Sequence, residues 1–235
     1  MKIVDLTQKL TEDMPLFPGT PGPKFTVKHT VETDGFREME ISLYSHTGTH
    51  LDTPAHVFPR GKNLEDYGAD QFCGSGLVLD FSRLGEKEIT PDLFEEAMDK
   101  ALSQPRFQRK TMPKEGEEEK DRRLSSIEYL FFYTGWDKKW GDKSYLTGSP
   151  ILSQAVAKKV TTLDLKGIGI DAISVDPLEG DGLLAHRILL EKEIIIVENL
   201  KNLGGLLQEN FEFYGLPLKI PGGEGSPIRG VAKIR

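Results

Sequence analysis

The amino-acid sequence predicts an α/β fold in a single domain. In the second half of the 235 residues, strand-like apolar runs alternate with helix-like segments, a pattern typical of sheets covered by helices. No change of composition marks a linker, no segment repeats, and the length is sufficient to bury a sizeable core. We therefore expect residues 1–235 to form one domain.

The first half of the chain predicts short strands and one irregular loop. A strand is predicted over residues 3–6, and alternating apolar and polar residues predict half-buried strands over 24–30 and 36–44. Residues 11–23 contain four prolines and two glycines, which exclude a regular helix or a central strand. Loops of this kind often carry functional residues, so Phe17 is either a substrate contact or an anchor packed on the core.

The second half predicts the strands and helices of the α/β core. Strands are predicted over residues 76–81, 129–133, 167–171 and 194–197, and helices over 91–102, from 153 to about 161, and over 183–191. Thr90 is a candidate N-cap, with Pro91 at the first helical position. The last strand is apolar throughout, as expected where both faces of a sheet are covered.

A charged insertion of about residues 104–125 separates the two halves. Its centre, 110–123, consists largely of Lys, Glu, Asp and Arg and has almost no apolar residue. Such a segment cannot contribute to a core. It predicts a solvated insertion, with a lid over the active site as the alternative.

The overall composition narrows the choice of partners and compartment. The formal net charge is −7, whereas nucleic acids and anionic membrane surfaces favour a basic patch. Cys73 is the one cysteine, which is compatible with a reducing compartment, and it predicts a small structural residue in preference to a nucleophile. The sequence shows neither the apolar core of a signal peptide nor an apolar run near the roughly 20 residues of a membrane span. We expect a cytoplasmic protein.

Three of the five histidines fall within one short window. His46, His50, Asp52 and His56 have the same parity, so an extended chain directs all four side chains to one face, whereas a helix would scatter them. A straight strand would separate His46 from Asp52 by about 20 Å, too far for one metal ion with ligands about 2 Å away. The chain must therefore turn, and Gly48 is the natural place.

Two imidazoles and one carboxylate form a metal site with an open coordination position. This arrangement is typical of a catalytic site and contrasts with a closed structural one. A metal ion there makes hydroxide available near neutral pH. The alternative is that these histidines are ordinary core or surface residues.

The window also resembles the signature of a known family, the cyclase family of metal-dependent hydrolases, which includes bacterial kynurenine formamidases and isatin hydrolase. The matching motif is His46-x-Gly48-Thr49-His50-x-Asp52-x-Pro54-x-His56. The likeness extends to Met14-Pro15-x-Phe17-Pro18-Gly19, Thr134-Gly135-Trp136, Gly169-Ile170-Asp171-x-x-Ser174-x-Asp176, His186-Arg187-x-Leu189-Leu190 and Val197-Glu198-Asn199-Leu200. It covers most of the chain outside the charged insertion.

The resemblance implies a fold and a set of site residues. It implies a swivelling β/β/α-type domain with a mixed sheet, in homodimers or higher oligomers such as tetramers. One zinc ion would be held by His46, His50 and Asp52, and a second by Asp52, His186 and Glu198. His56 would be the proton shuttle. Phe17 stands where the formamidases tend to have a tryptophan that contacts the substrate.

Three functional hypotheses follow. The first is hydrolysis of a small formamide or cyclic amide, such as N-formylkynurenine, by metal-activated hydroxide with His56 as acid and base. The second is lactone or ester hydrolysis, or ring closure, on the same centre. The third is a non-catalytic metal-binding protein. One or two Zn²⁺ ions are predicted, and Mn²⁺ is also compatible with a donor set rich in carboxylates.

Overall fold

The computed structural model describes residues 1–85, 88–104, 126–180 and 182–235. The charged insertion predicted at about 104–125 lies, from residue 105 onward, outside these described residues. The solvated-insertion and lid interpretations of that segment therefore stay predictions.

Thirteen strands and four α-helices are described, together with short 3-10 helices. The strands are β1 (Lys2–Asp5), β2 (Lys24–His29), β3 (Glu38–Ser42), β4 (His50–Asp52), β5 (Cys73–Asp80), β6 (Glu88–Ile89), β7 (Tyr129–Tyr133), β8 (Ile151–Leu152), β9 (Gly167–Ile170), β10 (Ile195–Glu198), β11 (Phe211–Tyr214), β12 (Gly225–Pro227) and β13 (Val231–Ile234). The helices are α1 (Val31–Asp34), α2 (Pro91–Leu102), α3 (Gln154–Val160) and α4 (Leu184–Leu190). Within the described ranges no helix has the length and apolar character needed to cross a membrane.

A nine-stranded mixed sheet organises the molecule, in the order β1-β13-β11-β5-β7-β9-β10-β4-β12. Strands β5, β7, β9 and β10 are parallel to one another, and the strands on either side of them are antiparallel. The N-terminal β1 pairs with the C-terminal β13, so both ends of the chain contribute to the same sheet. The predicted α/β class with a mixed sheet is confirmed.

Alternate residues of the parallel strands fill two different cores. Leu77, Leu130 and Ile168 belong to the core that α2, α3 and α4 cover, while Val78 and Phe131 face the opposite core. Full burial of each such side chain contributes about 1.5–3 kcal/mol. Both faces of the central strands are thus apolar, which explains their continuous hydrophobic runs.

The helix boundaries follow the predicted signals closely. Helix α2 begins at Pro91 and ends at Leu102 as predicted, although Thr90 makes no side-chain cap. The side chain of Ser153 does cap α3, accepting a hydrogen bond from the backbone N–H of Val156.

The burial predicted for residues 24–30 and 36–44 is wrong. These segments form the β2–β3 hairpin, which pairs only with itself among the described strands and whose residues are mostly exposed. Alternation correctly predicted strands, but it does not tell whether another element covers the apolar face. We call residues 24–44, the hairpin with its flanking residues, the arm.

Candidate metal centre

Three elements bring the candidate ligands together. His50 and Asp52 lie on β4, which is paired on one side with β10, and this register places Glu198 directly opposite His50. Directly opposed residues in an antiparallel pair share one face of the sheet. Helix α4 supplies His186.

The chain bends before β4, as the spacing of the motif requires. Gly48 adopts a left-handed conformation with φ of 67°, which costs glycine little. A side chain there would also collide with Leu10 of the N-terminal loop. This bend brings His46 to within 2.6 Å of Asp52, measured from Nδ1 to Oδ1.

Four buried side chains surround a small polar space. His50 Nε2 lies 3.4 Å from Asp52 Oδ1 and 3.5 Å from Glu198 Oε2, while His186 Nε2 lies 3.5 Å from Asp52 Oδ2 and 3.3 Å from Glu198 Oε1. Ligands about 2 Å from a tetrahedral ion lie about 3.3 Å apart, so these separations match those of a metal site.

The charges and free atoms of the site also fit a divalent cation. Burial would raise the pKa of Asp52, but the surrounding histidines outweigh it and hold this pKa well below its usual value. Asp52 Oδ2 and His46 Nε2 are buried and have no hydrogen-bond partner among the described residues. When the histidines are neutral, as metal-binding histidines are, an ionised carboxylate with an unpaired buried oxygen is costly unless a metal cation offsets its charge.

Each of the two most deeply buried histidines has its second ring nitrogen engaged. His50 Nδ1 lies 2.8 Å from the carbonyl oxygen of Gly48, and His186 Nδ1 lies 2.7 Å from Asp176 Oδ2. Metal-binding histidines characteristically donate the other N–H to an acceptor of this kind, which leaves Nε2 for the ion. Asp176 has no role in the sequence analysis, and only its position beside His186 reveals one.

His56 lies at the edge of this cluster, on the 3-10 turn Pro54–His56. Its ring centroid is 4.1 Å from that of His46 and 5.8 Å from that of His186. Burial lowers the pKa of His56, and the neighbouring histidines lower it further against the opposing effect of Asp52. A neutral imidazole next to a polar site can accept a proton. Its ring nitrogens are also close enough to His46 and Asp52 to share an ion with them.

Asn199 is a supporting residue that the sequence analysis left without a role. Its Nδ2 donates to the carbonyl oxygen of Gly48 over 2.9 Å, and its Oδ1 accepts from the hydroxyl of Tyr145 over 2.8 Å. Its own carbonyl oxygen accepts from the hydroxyl of Thr49. These bonds join the bend before β4 to the end of β10.

Two other residues considered from the sequence lie outside the cluster. Phe17 is 43% exposed on a turn of the N-terminal loop, so its substrate-binding role stays a prediction. Cys73 is half-buried, and burial raises the pKa of its thiol, which argues against a reactive nucleophile.

Comparisons with known proteins agree with this fold. The Cyclase family model matches residues 4–177. A kynurenine formamidase of Bacillus mycoides (strain KBAB4) is 26% identical over 234 residues, which cover 98% of this chain and 96% of the relative. Isatin hydrolase A from Ralstonia solanacearum aligns with a TM-score of 0.78 and 23% identity over 98% of this chain and 91% of that one. The structure of a potential metal-dependent hydrolase with cyclase activity aligns with a TM-score of 0.69 and 22% identity, over 98% of this chain and 96% of that one.

The fold and the buried cluster of histidines and carboxylates, taken with these relatives, define a metal-dependent hydrolase. More specifically, the chain belongs to the Cyclase family, because the family model covers most of its length. The predicted resemblance is confirmed.

Proposed function

We propose that the protein is an amidohydrolase that cleaves a small formamide or cyclic amide, with N-formylkynurenine as the leading candidate. The observation that carries the proposal is the buried set of His50, Asp52, His186 and Glu198 with the half-buried His56 beside it. The similarity to a kynurenine formamidase over nearly the whole chain supports the choice of substrate class.

The proposed ligands are His46, His50 and Asp52 for one ion, and Asp52, His186 and Glu198 for another. When bound, divalent ions supply Lewis acidity, which eases deprotonation of water and stabilises negative charge on a carbonyl oxygen. Zn²⁺ suits the imidazoles, and Mn²⁺ is the alternative. Metal analysis of protein purified without chelators measures identity and number, and activity retained in EDTA by a chain without metal contradicts the proposal.

In this proposal His56 moves the proton. Its imidazole accepts a proton from water and delivers one to the leaving nitrogen. The variant His56→Ala is expected to lose about 10²–10⁴-fold in turnover while it keeps the metal content of the wild type. Full activity of this variant on the true substrate would exclude the role.

We propose that Phe17 contributes an apolar surface for the substrate. It is exposed in the N-terminal loop, and Leu10, just before that loop, packs against Gly48 beside the candidate ligands. The variant Phe17→Ala is expected to raise KM with little change in kcat, whereas Leu216→Ala, also an exposed apolar residue, should leave both unchanged. Equal kinetics for both variants and the wild type would contradict the role.

A panel of aryl formamides, cyclic amides and lactones, assayed with added Zn²⁺ and with Mn²⁺, tests the substrate class. Preference for lactones or esters would indicate a lactone or ester hydrolase that uses the same metal centre. Metal binding with no turnover across the panel would favour a non-catalytic metal-binding protein.

We also propose that the chain forms homodimers or tetramers in the cytoplasm. The support for an oligomer is a group of apolar side chains of the arm that remain 36–60% exposed, namely Val27, Val31, Phe36, Met39, Ile41, Leu43 and Tyr44. They offer on the order of 600 Å² of apolar surface if a large side chain exposes about 200 Å². A standard dimer interface buries about 800 Å² per partner, much of it apolar, so the arm is large enough to contribute most of one. Cell fractionation tests the compartment.

A further inference from the structure

Glu224 lies beside the candidate metal centre although it is far from the histidine window in the sequence, and no local pattern marks it. Its Oε1 accepts a hydrogen bond from the hydroxyl of Ser45 over 2.6 Å and lies 3.3 Å from His46 Nε2. Its carbonyl oxygen accepts both the backbone N–H and the hydroxyl of Thr53. Glu224 is therefore fastened at its backbone and its side chain to the segment that carries His46, His50 and Asp52.

His46 is oriented differently from the other two candidate histidine ligands. In His50 and His186, Nε2 faces the carboxylates of the site and Nδ1 is held by an acceptor outside it. In His46 the two nitrogens are exchanged, because Nδ1 faces Asp52 and Nε2 faces Glu224. The buried Nε2 has no hydrogen-bonded partner within the described residues, and the Glu224 carboxylate is next to it.

The short contact between His46 and Asp52 bears on the role of Glu224. Their atoms are 2.6 Å apart, whereas two ligands of one tetrahedral ion lie about 3.3 Å apart. Binding of both atoms to one ion would require a larger separation between the imidazole and the carboxylate. Because Nε2 is on the far side of the ring, withdrawal of the imidazole from Asp52 would bring Nε2 closer to Glu224.

We propose that Glu224 is a positioning residue that accepts the Nε2–H of His46 and so commits this histidine to binding the metal ion through Nδ1. This role rests on the proposed metal centre. It gives His46 a hydrogen-bond acceptor outside the metal site, as Gly48 and Asp176 already provide for His50 and His186. Outer partners of this kind characteristically change metal affinity 10–100-fold when they are removed.

Close packing against Gly225 also restricts the orientation of the His46 ring. A side chain at Gly225 would come within 2.7 Å of the His46 ring, so the residue after Glu224 has to be glycine for the ring to lie where it does. Glu224 thus places a carboxylate beside Nε2, and the absence of a side chain at Gly225 leaves room for Cε1 of the same imidazole.

The test compares Zn²⁺ affinity in Glu224→Ala, Glu224→Gln and Glu65→Ala, measured by competition with a chromophoric chelator. Glu224→Ala is expected to lose 10–100-fold in affinity, with partial rescue in Glu224→Gln, whose amide oxygen can still accept the hydrogen bond. Glu65→Ala is the matched control, since Glu65 holds the same C-terminal segment through the N–H of Gly222 without touching a histidine. Its affinity should stay within about two-fold of the wild type.

A spectroscopic readout separates positioning from loss of structure. Two-bond ¹H–¹⁵N spectra of the Zn²⁺-loaded, ¹⁵N-histidine-labelled chain are expected to show His46 coordinated through Nδ1, and His50 and His186 through Nε2. Coordination of His46 through Nε2, or equal affinity in Glu224→Ala and the wild type, would overturn the role of Glu224 alone. Failure of the wild-type chain to bind Zn²⁺ would instead overturn the proposed metal centre, and the role of Glu224 with it.

Discussion

Asn199 shows how much of the candidate site depends on a single non-ligand. It has a positive φ of 56°, a left-handed conformation that costs most residues about 1–2 kcal/mol and that asparagine tolerates better. The carbonyl oxygen of Gly48 accepts from both Asn199 and His50, so Asn199 acts on the same atom that orients a candidate ligand. The strained backbone of Asn199 and the hydrogen bonds of its side chain therefore depend on each other.

We expect Asn199→Ala to destabilise the metal-free protein by about 2–4 kcal/mol. The substitution places alanine at a positive φ and leaves the buried hydroxyl of Tyr145 without its acceptor. Urea unfolding measures the change. Asn199→Gly removes the hydrogen bonds without the backbone strain and should fall between the wild type and Asn199→Ala. A loss below about 0.5 kcal/mol in Asn199→Ala would show that the contacts contribute little.

The sequence predicts those site residues whose partners are close to them along the chain. His46, His50, Asp52 and His56 lie within one window, and the bend near Gly48 follows from their spacing. Strand alternation gives a shared face only to His50 and Asp52 on β4, whereas His46 lies in the turn before this strand and His56 on the 3-10 turn after it. Asn199 and Glu224 act on that window from more than 140 residues away. No local pattern marks such contacts, because they depend on which strands become neighbours in the sheet.

Among the elements, the ends of β7 and β9 are fastened to each other through a buried carboxylate. Asp171, just after β9, accepts hydrogen bonds from the backbone N–H groups of Thr134 and Gly135 and from the hydroxyl of Thr134. Both segments belong to the motif stretches of the sequence, and their contact with each other gives them a structural role. Buried polar groups satisfied in this way hold the ends of the two strands together.

Gly169 is a position in the central strand β9 at which only glycine fits. A Cβ at Gly169 would lie 2.5 Å from Phe131 and 2.6 Å from Leu200. We expect Gly169→Ala to destabilise the protein by about 1–3 kcal/mol through overpacking. Gly205→Ala is the control, because no atom lies within 4 Å of its Cβ position. Denaturant unfolding of both variants tests this, and equal stabilities would contradict the steric argument.

The elements were predictable where local signals suffice. Proline at the first position of α2, serine before α3 and the apolar runs of β7 and β10 are all signals carried by a few residues. The arm was predicted as strands but not as an exposed hairpin. Periodicity identifies an apolar face, whereas its burial depends on what the rest of the fold, or a second chain, places against it.

For the whole molecule, the arm predicts a change of mass in solution. The double variant Phe36→Asp/Ile41→Asp should shift a dimer or tetramer toward the monomer, because charges replace apolar side chains that are 52% and 57% exposed. Leu218→Asp is a matched control, being 66% exposed but outside the arm. Light scattering measures the mass. A monomeric wild-type chain, or a double variant with the wild-type mass, would contradict the role of the arm.

Metal removal is expected to lower the stability of the whole domain. Without an ion, the carboxylates of Asp52 and Glu198 stay buried with no divalent charge to offset them, at exposures of 0% and 4%. Chelation should lower the Tm, and Zn²⁺ at about 100 times its Kd should restore about 2.7 kcal/mol. The variant Asp52→Ala should show no such recovery. An unchanged wild-type Tm on chelation would contradict linkage between binding and folding.

The strand order carries a consequence for biosynthesis. Strand β4 lies between β10 and β12, so the segment bearing His50 and Asp52 acquires its neighbours only from residues 195–198 and 225–227. Both partners are synthesised long after the histidine window, and a nascent chain stopped before residue 224 would lack the strand that pairs with one side of β4. The proposed ligand set therefore stays incomplete until His186 and Glu198 have been made, and its ions would be bound only after more than 140 further residues have followed the histidine window.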